Sequence, residues 1–169
     1  MNSRCIYYVE GPCEEQLVNA LKLMPSKLLP GKVKVYNPVQ KLIPKSEMLG
    51  FKPGTVVTLV FDTDTPETKF LERNIELIKK YCSKVKVIFL AQVLDFEDEL
   101  VRSTDVKQVT DLTHSKSISN FKTDFCKMKT DACRAMLERH KIDVTVLWTT
   151  KASDNYSFIS QNCEAVKVL

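Results

Sequence analysis

The chain lacks any apolar run long enough to cross a bilayer, since a spanning helix needs roughly 20 consecutive apolar residues. It also lacks a secretory leader pattern. Its opening, MNSRCIYYVEG, runs directly into a strand-like segment without the succession of basic region, apolar region and cleavage site. The expectation is a cytoplasmic protein with no membrane partner. Six cysteines, at positions 5, 13, 82, 126, 133 and 163, form no CxxC pair and no Cys/His group with zinc spacing. Free thiols in a reducing compartment follow. A Walker motif, a GxGxxG loop, internal repeats and low-complexity tracts are all missing, so no nucleotide cofactor is implied.

What is present is ordinary for a globular protein. The 169 residues are 44% hydrophobic and 27% charged. A chain of this size fits one domain and buries roughly 70% of its unfolded surface. The net charge of +4 permits a nucleic-acid partner without demanding one.

The most informative stretch is VVTLVFDTDTPE, Val56 to Glu67. Val56 to Phe61 has no polar alternation, as expected of a strand buried on both faces. Asp62 and Asp64 stand at its carboxyl end. Thr65, Pro66 and Glu67 then carry a helix-start pattern, with Thr as N-cap, Pro at the first helical position and an acid in the first turn. The two aspartates therefore fall in a strand-to-helix loop, at the edge where open α/β sheets bind ligands.

Arg4 to Val9 is a β-branched and aromatic run ended by Glu10-Gly11-Pro12, and Leu17, Val18, Leu21 and Met24 recur at helical spacing from Cys13 to Met24. Lys32 to Tyr36 alternates Lys with Val, as in an edge strand. Asn37 to Pro53, with three prolines and a glycine, predicts a long loop with room for one helical turn. Phe70, Leu71, Ile75, Ile78 and Cys82 mark an apolar helix stripe, and Val85 to Leu90 a fourth strand. Alternating strands and helices predict an α/β fold, a mostly parallel sheet with helices on both faces. Residues 1–92 form this core and residues 93–169 a mainly helical C-terminal elaboration of the same domain. Within the latter, helices are expected over Leu94 to Arg102, around Phe121, Phe125 and Met128, and over Thr130 to His140, with Ala132, Met136 and His140 in phase. Val144 to Trp148 reads as a final strand, with a helical continuation as the alternative.

If the first and third strands are neighbours, Glu10, Asp62 and Asp64 face one crevice, with Glu14 on the first turn of the following helix. Converging carboxylates repel one another and their pKa values rise unless a cation neutralises them. Mg²⁺ suits such a set, taking oxygen ligands and retaining several waters. Glu14, Glu15 and Glu67 also have a simpler role, complementing a helix macrodipole at about 0.3–1 kcal/mol each, and for Glu15 and Glu67 that role is preferred. Asp62 and Asp64 have turn formation as their simpler role. Asp-x-Asp also opens the haloacid-dehalogenase fold, but there on the first strand. Glycosyltransferases with this motif need a longer chain, and a receiver-like phosphoacceptor wants two acids after the first strand, where only Glu10 stands, although Lys151 suits its late lysine.

VEGPCEE after a first strand, with VVTLVFDTDT after a third, resembles the Toprim domain, whose pattern is a Glu after the first strand and Asp-x-Asp after the third. The resemblance covers about half the chain, Arg4 to Leu90. It implies a Toprim-like (Rossmann-like) fold, Mg²⁺ or Mn²⁺ as cofactor, DNA or RNA as partner, and nuclease activity by phosphodiester hydrolysis. Glu10, Asp62 and Asp64 would be catalytic, with Glu10 as metal ligand or general acid/base and the aspartates as the metal-binding pair. Glu14 matches the second acid of the EGxxE form of the small RloB-like and OLD (overcoming lysogenization defect) nucleases associated with phage defence. Phe96-Glu97-Asp98-Glu99-Leu100 is similar in place to an aromatic-acidic segment there, making Glu97 a fifth metal-site candidate, although Val93-Leu94-Asp95 replaces the usual Asn-Pro. The glycine common after Asp-x-Asp is also absent.

Phosphate contacts are expected from Lys116, Lys122, Lys127, Lys129 and Arg134, whose simpler role is solvated helix surface. His114 is a further acid/base candidate, whereas His140, in phase with the apolar stripe, is assigned to structure. The alternative class is a non-catalytic Toprim-like module that binds nucleic acid or a protein and keeps its acids for structure.

Overall fold

The computed structural model describes residues 5–25 and 27–168. Its centre is a four-stranded, all-parallel sheet in the order β2-β1-β3-β4, formed by β1 (Cys5–Val9), β2 (Gly31–Val35), β3 (Val56–Asp62) and β4 (Lys86–Gln92). Helices α1 (Pro12–Leu23), α2 (Lys45–Leu49) and α3 (Lys69–Tyr81) connect the strands, and α4 (Phe96–Ser103), α5 (Ile118–Lys127) and α6 (Thr130–Arg139) follow. The fold is α/β and Rossmann-like. No helix of the described residues is long and apolar enough to cross a membrane.

Strand β3 explains the two-layered core. Its side chains alternate, Val56 and Val60 entering one cluster with Leu17, Leu21, Phe96, Phe121 and Phe125, and Val57, Leu59 and Phe61 entering another with Leu71, Ile75 and Ile78. Helices α1, α4, α5 and α6 cover the first face, and α2 and α3 the second. Both faces are dry, as the unbroken apolar run requires. The edge of β4 is blunted by Asn162, whose amide accepts from Phe89 N–H at 2.9 Å and donates to the Val87 carbonyl at 3.1 Å. The six cysteines are free thiols.

Several expectations change. Arg4 lies outside the described residues. Helix α3 starts at Lys69 with Thr68 as N-cap, not after Thr65. The Thr65 carbonyl, which an N-cap would present to the first helical turn, instead accepts the Tyr156 hydroxyl at 2.8 Å. Glu67 consequently lies before the first turn, where Glu72 stands. Phe70 is 47% exposed and leaves the apolar stripe. On α6 the buried side chains are Cys133, Met136 and Leu137, while Ala132 faces solvent and His140 caps the helix beside Asp105, its Nδ1 3.2 Å from Oδ1. Val144 to Trp148 is neither strand nor helix. The Asp143 carbonyl accepts the amides of Val146 and Leu147 at 3.2 Å each, and the buried Glu99 carboxylate accepts the Trp148 amide at 2.5 Å, leaving a tight turn.

Gly31 begins β2 because a Cβ there would lie 2.4 Å from the Cys5 carbonyl oxygen and 2.8 Å from its carbonyl carbon. Gly31→Ala must push β2 off β1, and the expected loss is about 1–3 kcal/mol. Urea denaturation would report it as a lowered midpoint with an unchanged slope; an unaltered midpoint contradicts this packing.

Candidate functional site

The pairing of β1 with β3 sets Val9 beside Val60, so Glu10, one residue on, and Asp62, two residues on, emerge together at the carboxyl edge. They are joined directly, the Asp62 amide donating to Glu10 Oε2 at 3.1 Å. Gly11, with extended backbone, and Pro12 at the first turn start α1 immediately afterwards, which carries Glu14 over the same edge. Glu14 is 5% exposed and its Oε2 accepts the Gly11 amide at 2.9 Å. It therefore caps α1 as well as facing the other acids.

The C-terminal elements complete the surroundings. Asp95 caps α4, accepting from the Asp98 amide at 2.9 Å, and this places Glu97 in the first turn at 7% exposure. Lys122 of α5 brings its Nζ to 2.9 Å from Glu97 Oε1. Of the basic residues expected to meet phosphate, Lys122 is the one drawn into the acidic cluster. Lys116, Lys127 and Lys129 are exposed and Arg134 is half-buried on α6, with no interaction among the described residues tying them to the carboxylates. His114 is exposed in the loop before α5.

Burial and mutual repulsion make the charged forms of these acids unfavourable. Burial, then repulsion from Glu14, Glu10, Asp64 and Asp95, pushes the Asp62 carboxyl up to about 9. Glu10 is raised by burial and Asp64, against the opposing pull of the Asp62 amide, Asn37 and Lys122. Glu14 is raised by burial first and by Glu10 and Glu97 after it. Among the described residues no three Asp, Glu, His or Cys side chains stand close enough to hold an ion as they are. Their contacts with the chain's own donors explain this spread: Glu10 and Glu14 accept the Asp62 and Gly11 amides, and Glu97 forms an ion pair with Lys122.

Seven buried side-chain polar atoms of the described residues have no hydrogen-bond partner, and four of them, Asp62 Oδ1, Glu97 Oε1 and both amide atoms of Gln92, belong to this edge. Glu97 Oε1 does have Lys122 within ion-pair distance, outside hydrogen-bond geometry. Buried polar groups in folded proteins are ordinarily satisfied, so such a concentration fits a place where water or a ligand belongs. The all-oxygen donor set fits a hard divalent cation, which Glu10, Glu14, Asp62, Asp64 and Glu97 would hold.

Two residues escape the motif pattern. Gln92 ends β4 opposite Asp62, and its signal was a polar residue closing an apolar run at the same edge. Tyr156, from the distant C-terminal segment, is raised to about 12 by burial and by Asp64, Glu10 and Asp62, and it grips the Asp-x-Asp loop through the Thr65 carbonyl while stacking on Phe61 at 6.0 Å. No periodicity or spacing announces it. The chain matches no family model, no curated protein and no solved structure.

The raised Asp62 pKa has a defined sign. The unfolded chain releases this proton near pH 3.9 and the folded chain near 9, so the folded state holds the extra proton between them. Stability from this group is then lost as pH rises from about 4 towards 9. Asp62→Asn should make the metal-free protein more stable by at least about 1 kcal/mol at pH 8, with the gain vanishing towards pH 4. Thermal unfolding at both pH values measures it, and an equal effect at the two would refute the assignment.

Proposed function

We propose that this chain is a Toprim-type nuclease, dependent on Mg²⁺ or Mn²⁺, that hydrolyses phosphodiester bonds of DNA or RNA. The observation carrying this reading is Asp62: a half-buried carboxylate at the end of a central strand, repelled by Glu10, Glu14 and Asp64, with one oxygen that no described residue satisfies. Such a group is destabilising unless a cation repays it. The spacing of Glu10 and the Asp62/Asp64 pair on adjacent strand ends supports the Toprim resemblance.

In this reading Asp62, Asp64 and Glu10 hold the ion, and Glu14 and Glu97 stand ready to join it when they leave their present donors. When bound, such an ion polarises a phosphate oxygen and lowers the pKa of water towards neutrality. Glu10, which accepts the Asp62 amide, would serve either as a ligand of the ion or as the acid/base for an attacking water. Lys122, paired with Glu97 in the resting protein, would supply positive charge to a phosphate that takes the place of Glu97.

The same Lys122 contact favours a second reading, a binding module in which the lysine neutralises the acids and no ion is needed. Cleavage of labelled single-stranded DNA, duplex DNA and tRNA in Mg²⁺ and Mn²⁺ separates the two. The nuclease should lose at least about a hundredfold in rate in Asp62→Ala and in Glu10→Ala. At a hundredfold excess over Kd, metal should also raise the Tm of the parent protein by about 5–10 °C. Absence of both cleavage and thermal shift leaves the binding module.

A further inference from the structure

Gln92 is the last residue of β4 and lies in register with Asp62 of β3. Side chains alternate along a strand, and residues in register on adjacent parallel strands share a face. Ile88 and Leu90, on the same phase as Gln92, enter the cluster beneath α1, α4 and α5, as do Val56 and Val60, on the same phase as Asp62. Gln92 and Asp62 therefore project side by side to the face that carries Glu14, Glu97 and Lys122. Gln92 is 0% exposed, yet among the described residues neither Nε2 nor Oε1 has a partner, and Asp62 Oδ1 is equally bare. The β4 end does not need this amide for its own order, because the Gln92 backbone carbonyl already accepts the Thr63 amide at 3.0 Å and its hydroxyl at 3.2 Å.

A neutral group at this position is suited to what surrounds it. Another carboxylate would deepen the repulsion among the acids, and an aliphatic side chain would offer nothing to Asp62 or to a ligand. A carboxamide oxygen accepts without carrying a charge, which matches a water molecule that gives one hydrogen to a carboxylate oxygen and the other to an uncharged neighbour. Resting on the metal-site reading above, we propose that Gln92 is a positioning residue of the acidic site, its amide and Asp62 Oδ1 together holding a water of the bound ion's hydration shell. That water donates one hydrogen to Asp62 Oδ1 and one to Gln92 Oε1, leaving its oxygen for the ion. Divalent ions of the Mg²⁺ kind retain several waters, so contact through water is an expected use of such a residue.

The experiment compares Gln92→Met, close in shape and without the amide, and Gln92→Leu with the parent chain, reading metal-free Tm and the Kd for Mn²⁺ by isothermal titration. The two readouts should move in opposite senses: metal-free stability is retained or raised, because a buried unpaired amide has gone, while Mn²⁺ binds about 10- to 100-fold more weakly. A merely structural glutamine would give the reverse, a lowered Tm with Kd within twofold of the parent, and that result overturns the proposal. Failure of both variants to fold overturns it as well, since the amide would then be required for the fold. If the parent chain itself binds no Mn²⁺, the metal-site reading fails and the proposal with it. Mn²⁺ binding by the parent that both variants retain removes the role of Gln92 alone.

Discussion

The structure depends most on the parallel pairing of β1 with β3. That ladder sets Glu10 and Asp62 at one edge, and the bond from the Asp62 amide to Glu10 ties the strand ends together. The pairing is secured by apolar burial on both faces of β3, where each fully buried Val, Leu or Phe contributes about 1.5–3 kcal/mol. A sheet anchored this firmly can hold mutually repelling acids at its rim, an arrangement that a less buried element would relieve by moving apart. Functional sites commonly hold such locally unfavourable groups, with the rest of the fold compensating.

The C-terminal elements act on that rim from both sides of the sheet. On one face α4 and α5 pack Phe96 against Phe121 and Phe125, with ring centroids 6.4 and 5.4 Å apart, and the same packing delivers Glu97 and Lys122 to the acids. On the other face Tyr156 stacks on Phe61 and holds the Thr65 carbonyl. The Asp-x-Asp loop is thereby held between the core and a segment about ninety residues away in sequence. Three of the acids are occupied by donors from the chain itself, an amide for Glu10 and for Glu14 and an amine for Glu97, while Asp62 Oδ1 has no partner among the described residues. If the proposed ion binds, it would do so by an exchange of partners rather than by filling a preformed cage, and its affinity would depend on how readily those donors let go.

Strands, their order of burial and the strand-end position of Glu10, Asp62 and Asp64 were legible because each rests on a local pattern: an unbroken apolar run, Lys alternating with Val at an edge, or a helix stripe over α3. The start of α3 was not. Thr65-Pro66-Glu67 carries every local sign of a helix start, and a single hydroxyl from Tyr156 claims the carbonyl that start would use. Val144 to Trp148 has strand composition, but Glu99 takes the Trp148 amide and the segment turns instead. Of the five basic residues expected to meet phosphate, Lys122 on α5 is the one that reaches the acids among the described residues, whereas Lys116 precedes α5 and Lys129 precedes α6; the packing of α5 on α1 makes the distinction, not anything around Lys122 in sequence.

The amino-acid sequence by itself determined the layered α/β plan and the carboxylates at the strand ends, because burial periodicity and strand termination depend on neighbours a few residues away. Only the tertiary structure decided which side chains surround those carboxylates. Gln92, Glu97, Lys122 and Tyr156 come from three separate stretches, and their meeting depends on helix packing across both faces of the sheet, a long-range outcome that no local spacing encodes.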